Sequence, residues 1–105
     1  MDFVFAYITT KDKAQALEIG KALVDERLAG CVNILDSMTS IYRWEGKVQS
    51  YGEAVLIAKT SSEKFAALSA KVKQIHSDSC PCIVSLQVTG GNWAYLNWLS
   101  GEIGG

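Results

Sequence analysis

The chain has 105 residues, of which 49% are hydrophobic and 20% charged, and its formal net charge is −1. That describes one ordinary globular domain with enough chain for a core, and it leaves no basic footprint for nucleic acid or acidic lipid. No apolar run approaches the ~20 residues that cross a bilayer. Three cysteines without a secretion signal point to free thiols in a reducing compartment, so a cytoplasmic setting is expected.

A strand pattern starts almost at once, at Phe3–Ile8, and is expected to leave no room for a signal or transit peptide. Thr9-x-x-Asp12 reads as a capping box opening a helix that runs to about Leu28. Ala16, Leu17, Gly20, Leu23, Val24 and Leu28 fall on one side of it, and Glu18, Lys21 and Asp25 on the other. Ala29-Gly30 ends this helix, and Cys31–Leu35 begins a second strand. Tyr42-Arg43-Trp44-Glu45-Gly46 then marks the tip of a long β-hairpin, turning at Glu45-Gly46-Lys47 and returning through a strand at about Gly52–Ala58. Its arms span about a dozen residues each, against about five or six for a typical strand.

The second half repeats the first. Thr60-x-x-Glu63 gives the same capping signature, and Phe65, Leu68, Val72 and Ile75 follow at helical spacing. Pro81 stops the connection, and Ile83–Val88 forms another strand. A short helix closes the pattern, with Asn92 as N-cap and Gly101 past its end. The elements together predict an α+β fold, a ferredoxin-like split βαβ sandwich with a long central hairpin.

This topology predicts the strand order fourth, first, third, second, with two helices covering one face. The first and third strands are nevertheless apolar on both faces: Phe3, Phe5 and Tyr7 oppose Val4, Ala6 and Ile8, and Val55 and Ile57 oppose Ala54, Leu56 and Ala58. A half-solvated antiparallel sheet alternates instead. The open face therefore needs a cover, most simply another copy of the chain, with a loop or the C-terminal helix as the alternative.

Five motifs run in order through most of the chain. They are Leu28-Ala29-x-Cys31-Val32-Asn33, Tyr42-x-Trp44-x-Gly46, Glu53-x-x-Leu56-x-x-Lys59-Thr60, His76 five residues before Pro81, and Gly91-Asn92-x-x-Tyr95-Leu96-x-Trp98. In this set the chain resembles the CutA family, the divalent-cation tolerance proteins. The resemblance implies a homotrimer built through the long hairpins, a fold like that of the PII signalling proteins, and a link to copper tolerance. One stretch departs from the family's usual His-Pro-Tyr: here it reads His76-Ser77-Asp78-Ser79-Cys80-Pro81-Cys82.

His76, the only histidine, sits where the second helix ends and is the first candidate metal ligand. A positive charge at a helix C-terminus is the alternative role for it. Copper sites in bacterial relatives resemble a thiol near the end of the first strand with histidines at this helix end. Tyr7 and Ile75 stand at two of those places here, and His76 alone is kept. Cys80 and Cys82 are the candidate replacements, since soft thiolates suit copper, and the topology brings them to the same sheet edge as His76. Cys31 begins the second strand at the opposite edge and cannot join them. Loop thiols with no ligand role are the alternative for Cys80 and Cys82. The resemblance makes copper or another divalent cation the candidate ligand, with no organic cofactor expected.

Tyr42, Trp44, Tyr95 and Trp98 read as interface or cleft residues, because aromatics near turns and on short helices anchor subunit contacts. Glu53 and Lys59 share one face of the third strand, either in a subunit cleft or where the strand meets water. The expected function is metal tolerance by binding or response. A PII-like trimer taking a small molecule or partner protein at inter-subunit clefts is the alternative. RNA recognition is excluded: Glu53–Lys59 carries no stacking aromatic and the charge balance is acidic. Thr9-Thr10-Lys11 lacks the arginine and glycines of an acylphosphatase loop, and no catalytic pairing is legible, so no enzyme activity is expected.

Overall fold

The structure, a computed structural model, describes residues Met1–Gly104. Seven elements follow in order: β1 (Phe3–Thr10), α1 (Lys13–Asp25), β2 (Cys31–Trp44), β3 (Lys47–Ser61), α2 (Phe65–Ile75), β4 (Ile83–Gln87) and α3 (Trp93–Glu102). The four strands form one antiparallel sheet in the order β2-β3-β1-β4, as the split βαβ pattern predicts.

The core lies between the sheet and the two longer helices. Ala6 and Ile8 of β1 and Ala54, Leu56 and Ala58 of β3 meet Ala16, Ile19 and Leu23 of α1 and Leu68 and Val72 of α2, all fully buried. Each large aliphatic side chain in this layer contributes about 1.5–3 kcal/mol by leaving water.

The helix boundaries shift from their expected places for local reasons. Helix α1 stops at Asp25, short of Leu28, because Arg27 takes a left-handed φ of 57°. The Leu28 N–H then donates back to Leu23 O at 2.9 Å, closing the helix with a Schellman-type bond. The N-terminal cap also lies three residues on from Thr9, the cap expected of Thr9-x-x-Asp12. Asp12 itself is the cap, accepting from the Gln15 N–H at 2.8 Å, while Gln15 Oε1 accepts from the Lys11 N–H at 3.0 Å. Pairing of Thr9 and Thr10 with Val55 and Ala54 keeps both threonines in β1. Likewise Thr60 stays inside β3, and α2 begins at Phe65 with Ser61 Oγ accepting from the Lys64 N–H at 3.3 Å. Asn92 caps α3 as expected, through the Ala94 N–H at 3.0 Å.

The hairpin is longer than the sequence pattern indicated, at 14 residues in β2 and 15 in β3. Strand β1 pairs with β3 only from Ala54 to Ser61, so Met38–Trp44 and Lys47–Glu53 leave the sheet as a two-stranded arm. Glu45 and Gly46 form the two-residue turn with φ of 52° and 79°, the left-handed pair that a tight hairpin needs. An isolated ribbon of this kind is marginal in water.

On the sheet face away from α1 and α2, register groups the side chains into rows. Asn33, Ile57, Tyr7 and Val84 form one, and Cys31, Lys59, Phe5 and Leu86 another. Leu35, Val84 and Leu86 remain 56%, 49% and 55% exposed there. Helix α3 covers one end only. Its Leu99 and Ile103 are buried, and its Tyr95 hydroxyl accepts from Lys59 Nζ at 3.2 Å. The rest of the face is open.

Candidate functional site

The arm carries its side chains on a face that depends on one irregularity. Along β2 the pairing moves from Leu35 opposite Val55 to Met38 opposite Glu53, so three steps on one strand match two on the other. Ser37 absorbs the extra residue with a φ of 60°, and its N–H donates to Asp36 Oδ1 at 2.7 Å. This is a β-bulge, and it changes which side chains share a face. Before it, Cys31, Asn33 and Leu35 occupy the open face. Beyond it, Met38, Ser40, Tyr42 and Trp44 do.

The result is a cleft of about 590 Å³ between the arm, the end of β1 and the loop before β4. Tyr7 and Thr9 form its floor, Met38, Tyr42, Trp44 and Glu53 one wall, and Asp78, Cys80 and Cys82 the other. The volume suits a small organic molecule. Among the described residues, Glu53 and Asp78 are the only charged ones lining it, and both are acidic. Loss of water raises the Tyr42 hydroxyl above its ordinary pKa, and Glu53, Tyr51 and Asp78 add to the rise by repelling a phenolate. Tyr7 donates its hydroxyl weakly to Met38 Sδ at 3.8 Å, tying floor to wall.

His76 holds the loop wall in place and does not enter the cleft. It is 8% exposed, its Nε2 lies 2.8 Å from Thr9 O, and its Nδ1 accepts from the Asp78 N–H at 3.0 Å. Because Nδ1 accepts, Nε2 carries the proton and donates, so both ring nitrogens are occupied. Gln15 Nε2 adds a bond to Ser77 Oγ at 2.9 Å, and the Thr9 N–H reaches Cys82 O at 3.4 Å. Among the described residues no three His, Cys, Asp or Glu side chains gather to hold an ion. The expected three-ligand cluster of His76, Cys80 and Cys82 is therefore not formed within one copy. The two thiols, both exposed, reach the cleft without the imidazole.

Lys59 and Tyr95 belong to a separate place. Lys59 Nζ sits 5.5 Å from the Phe5 ring centre and 5.3 Å from that of Tyr95, a cation held over two aromatic faces. Trp98 stacks obliquely on Tyr95 at 5.6 Å. Of the residues singled out from sequence, Tyr42, Trp44, Glu53, Cys80 and Cys82 come together in the cleft. Lys59, Tyr95 and Trp98 come together at the α3 end.

The family model for the CutA1 divalent ion tolerance protein matches residues 4–102. The chain belongs to the CutA1 family. The divalent-cation tolerance protein CutA of Thermus thermophilus is 45% identical over 97 residues, covering 92% of this chain and 94% of that protein. Human protein CutA is 37% identical over 94 residues, and there the match spans 90% of this chain but only 52% of the human protein. The solved structure of the periplasmic divalent cation tolerance protein CutA from Archaeoglobus fulgidus superposes with a TM-score of 0.94 at 38% identity, covering 96% of this chain and 98% of that one.

Within this CutA1 chain, Met38, Thr9 and Asp78 are cleft residues that the sequence did not single out, whereas Tyr7 stands at the place its pattern pointed to. Asp36-Ser37, two turn-forming residues inside an otherwise regular strand, was the available signal for the bulge that brings Met38 in.

Proposed function

We propose that this chain works in the cytoplasm as a non-catalytic homotrimer of the divalent-cation tolerance family, responding to copper through the cleft beside the arm. The observation that carries the reading is the gathering of Cys80, Cys82 and Met38 at one cleft that also holds two carboxylates. Sulfur donors favour copper in its monovalent state, and the acidic surroundings attract any cation. The soft donor set fits that ion within a copy only as a two-thiol site with a thioether nearby, open to exchange or to completion by a neighbour.

Self-association is supported by the arm and by the open sheet face. Ile41, Val48, Tyr51 and Trp44 stand 72%, 63%, 52% and 50% exposed on a ribbon that has no third strand. Long arms of this kind cover the apolar faces of neighbouring copies, and three copies is the number that the family resemblance implies. Free Cys31, Cys80 and Cys82 support a reducing compartment, although the A. fulgidus relative is described as periplasmic.

Anaerobic titration with Cu(I), with mass followed by light scattering, tests the reading. Stoichiometric binding that survives His76→Ala and disappears in Cys80→Ser/Cys82→Ser, on a particle of three copies, is the expected result. Equal titration of all the variants would remove the cleft from the account, and a stable folded single copy at micromolar concentration would remove the trimer. A second reading, a PII-like trimer that binds a small molecule at this cleft, is favoured by the cleft's size and its three lining aromatics, Tyr7, Tyr42 and Trp44. Saturable metabolite binding lost in Trp44→Ala, with copper binding unchanged, would select it.

A further inference from the structure

Cys80 and Cys82 are two exposed free thiols separated by one proline, and both line the same cleft. Two residues apart, their Cα atoms lie within about 7 Å whatever the backbone does, near the outer reach of a disulfide. Both cysteines precede β4, which begins at Ile83, so they are not held in an extended strand, where residues two apart stand too far apart to be bridged. Pro81 narrows the motion between them by fixing its φ. The segment is also pinned on both sides to one residue of β1: His76 bonds to the Thr9 carbonyl, and the Cys82 carbonyl accepts from the Thr9 N–H. Anchored at both ends, the segment limits how far the two thiols can move apart.

We infer that Cys80 and Cys82 form a reactive dithiol that exchanges with cationic low-molecular-weight disulfides entering the acidic cleft. One thiolate of the pair, its proton released to water, attacks a sulfur of the small disulfide. That S–S bond breaks, a mixed disulfide forms, and one small thiolate leaves and takes up a proton. The second protein thiolate then attacks the cysteine sulfur of the mixed disulfide and expels the other small thiolate, which is protonated in turn. In sum, two protein thiols are oxidised to one Cys80–Cys82 disulfide, one small disulfide is reduced to two small thiols, and no further oxidant is needed.

The charge preference comes from Glu53 and Asp78, the charged side chains that line the cleft among the described residues. An ammonium-bearing disulfide is drawn to them, and a carboxylate-bearing one is repelled. Cys31 takes no part, since it lies on β2 at the far edge of the sheet, opposite Lys59.

The inference does not rest on the copper reading, and its test is run on native protein with a chelator present. Protein is treated with cystamine or with oxidised glutathione, alkylated, and weighed by intact mass spectrometry, with an unstructured Cys-Pro-Cys peptide as the reference for intrinsic rates. Cys31→Ser protein should lose two hydrogens and hide two thiols from alkylation. Cys80→Ser and Cys82→Ser should each stop with one cysteamine attached to the remaining cysteine of the pair. Relative to the peptide, the protein should favour cystamine over oxidised glutathione on the order of fivefold, and Glu53→Gln/Asp78→Asn should lose most of that preference. Persistent mixed disulfides on both cysteines, cross-links between copies, no reaction in the folded protein, or an unchanged preference in the double variant would each overturn the proposal.

Discussion

The body of the sheet and the arm that leaves it are built from the same two strands, yet they are stabilised in opposite ways. In the body, Leu56 and Ala58 of β3 are sealed between sheet and helices with no exposure at all. A few residues earlier on the same strand, Val48 and Tyr51 are 63% and 52% exposed. The difference follows from pairing: β3 has two neighbours from Ala54 onward and one before it. A strand with helices above it and strands on both sides is finished within one copy, whereas a lone ribbon carrying large apolar side chains is finished by contacts from outside.

That contrast can be broken at several points. The largest effect is expected in the body, where Leu56→Ala removes a fully buried side chain and should cost about 2–5 kcal/mol in chemical denaturation. Deleting Ser37 removes the bulge while Met38 stays opposite Glu53, so Tyr42 and Trp44 keep their face and only the local twist of the arm changes. The body should stay folded, and light scattering should report an unchanged particle with far-ultraviolet circular dichroism near native. Loss of self-association would show that the kink at the bulge, and not the arm's facing alone, sets the contacts.

His76→Ala probes the junction between the two regions. It strips the partners from the Thr9 carbonyl and the Asp78 N–H, and should cost about 1–3 kcal/mol. Alkylation of Cys80 and Cys82 should quicken in the same variant, because their loop loses its anchor. Equal alkylation rates would mean that the loop is held by Gln15 and Thr9 alone. The smallest effect is expected at Thr60, whose buried hydroxyl has no hydrogen-bond partner among the described residues. Thr60→Val replaces it with a methyl of similar shape and should be neutral or stabilising by up to about 1 kcal/mol, read from the denaturation midpoint.

The body was largely legible in the sequence. Helical spacing of Leu68 and Val72, and strands apolar on both faces, gave the layers, and the split βαβ pattern gave the strand order. Helix ends were less legible because tertiary pairing overrode local signals. Thr9 and Thr60 look like caps, but strand pairing keeps both in the sheet. Arg27 ends α1 in a conformation that favours glycine, and nothing in its chemistry announces that. The candidate site was legible by composition and not by arrangement. Cys80, Cys82, Tyr42, Trp44 and Glu53 were identified from residue type, but their grouping depends on the Ser37 bulge. His76 was read as a ligand because imidazole binds metals, while its two backbone bonds depend on Thr9, far away in sequence.

The bulge also sets a counting rule for the arm. Side chains on a strand alternate, so adding or losing one residue between Met38 and Glu53 would move every aromatic beyond it to the wrong side. Two residues, one on each strand, merely lengthen the ribbon by a rung and again reverse what its tip presents; four restore the pattern. Relatives whose hairpins differ in length should therefore differ in matched steps, or carry a second irregularity that resets the phase.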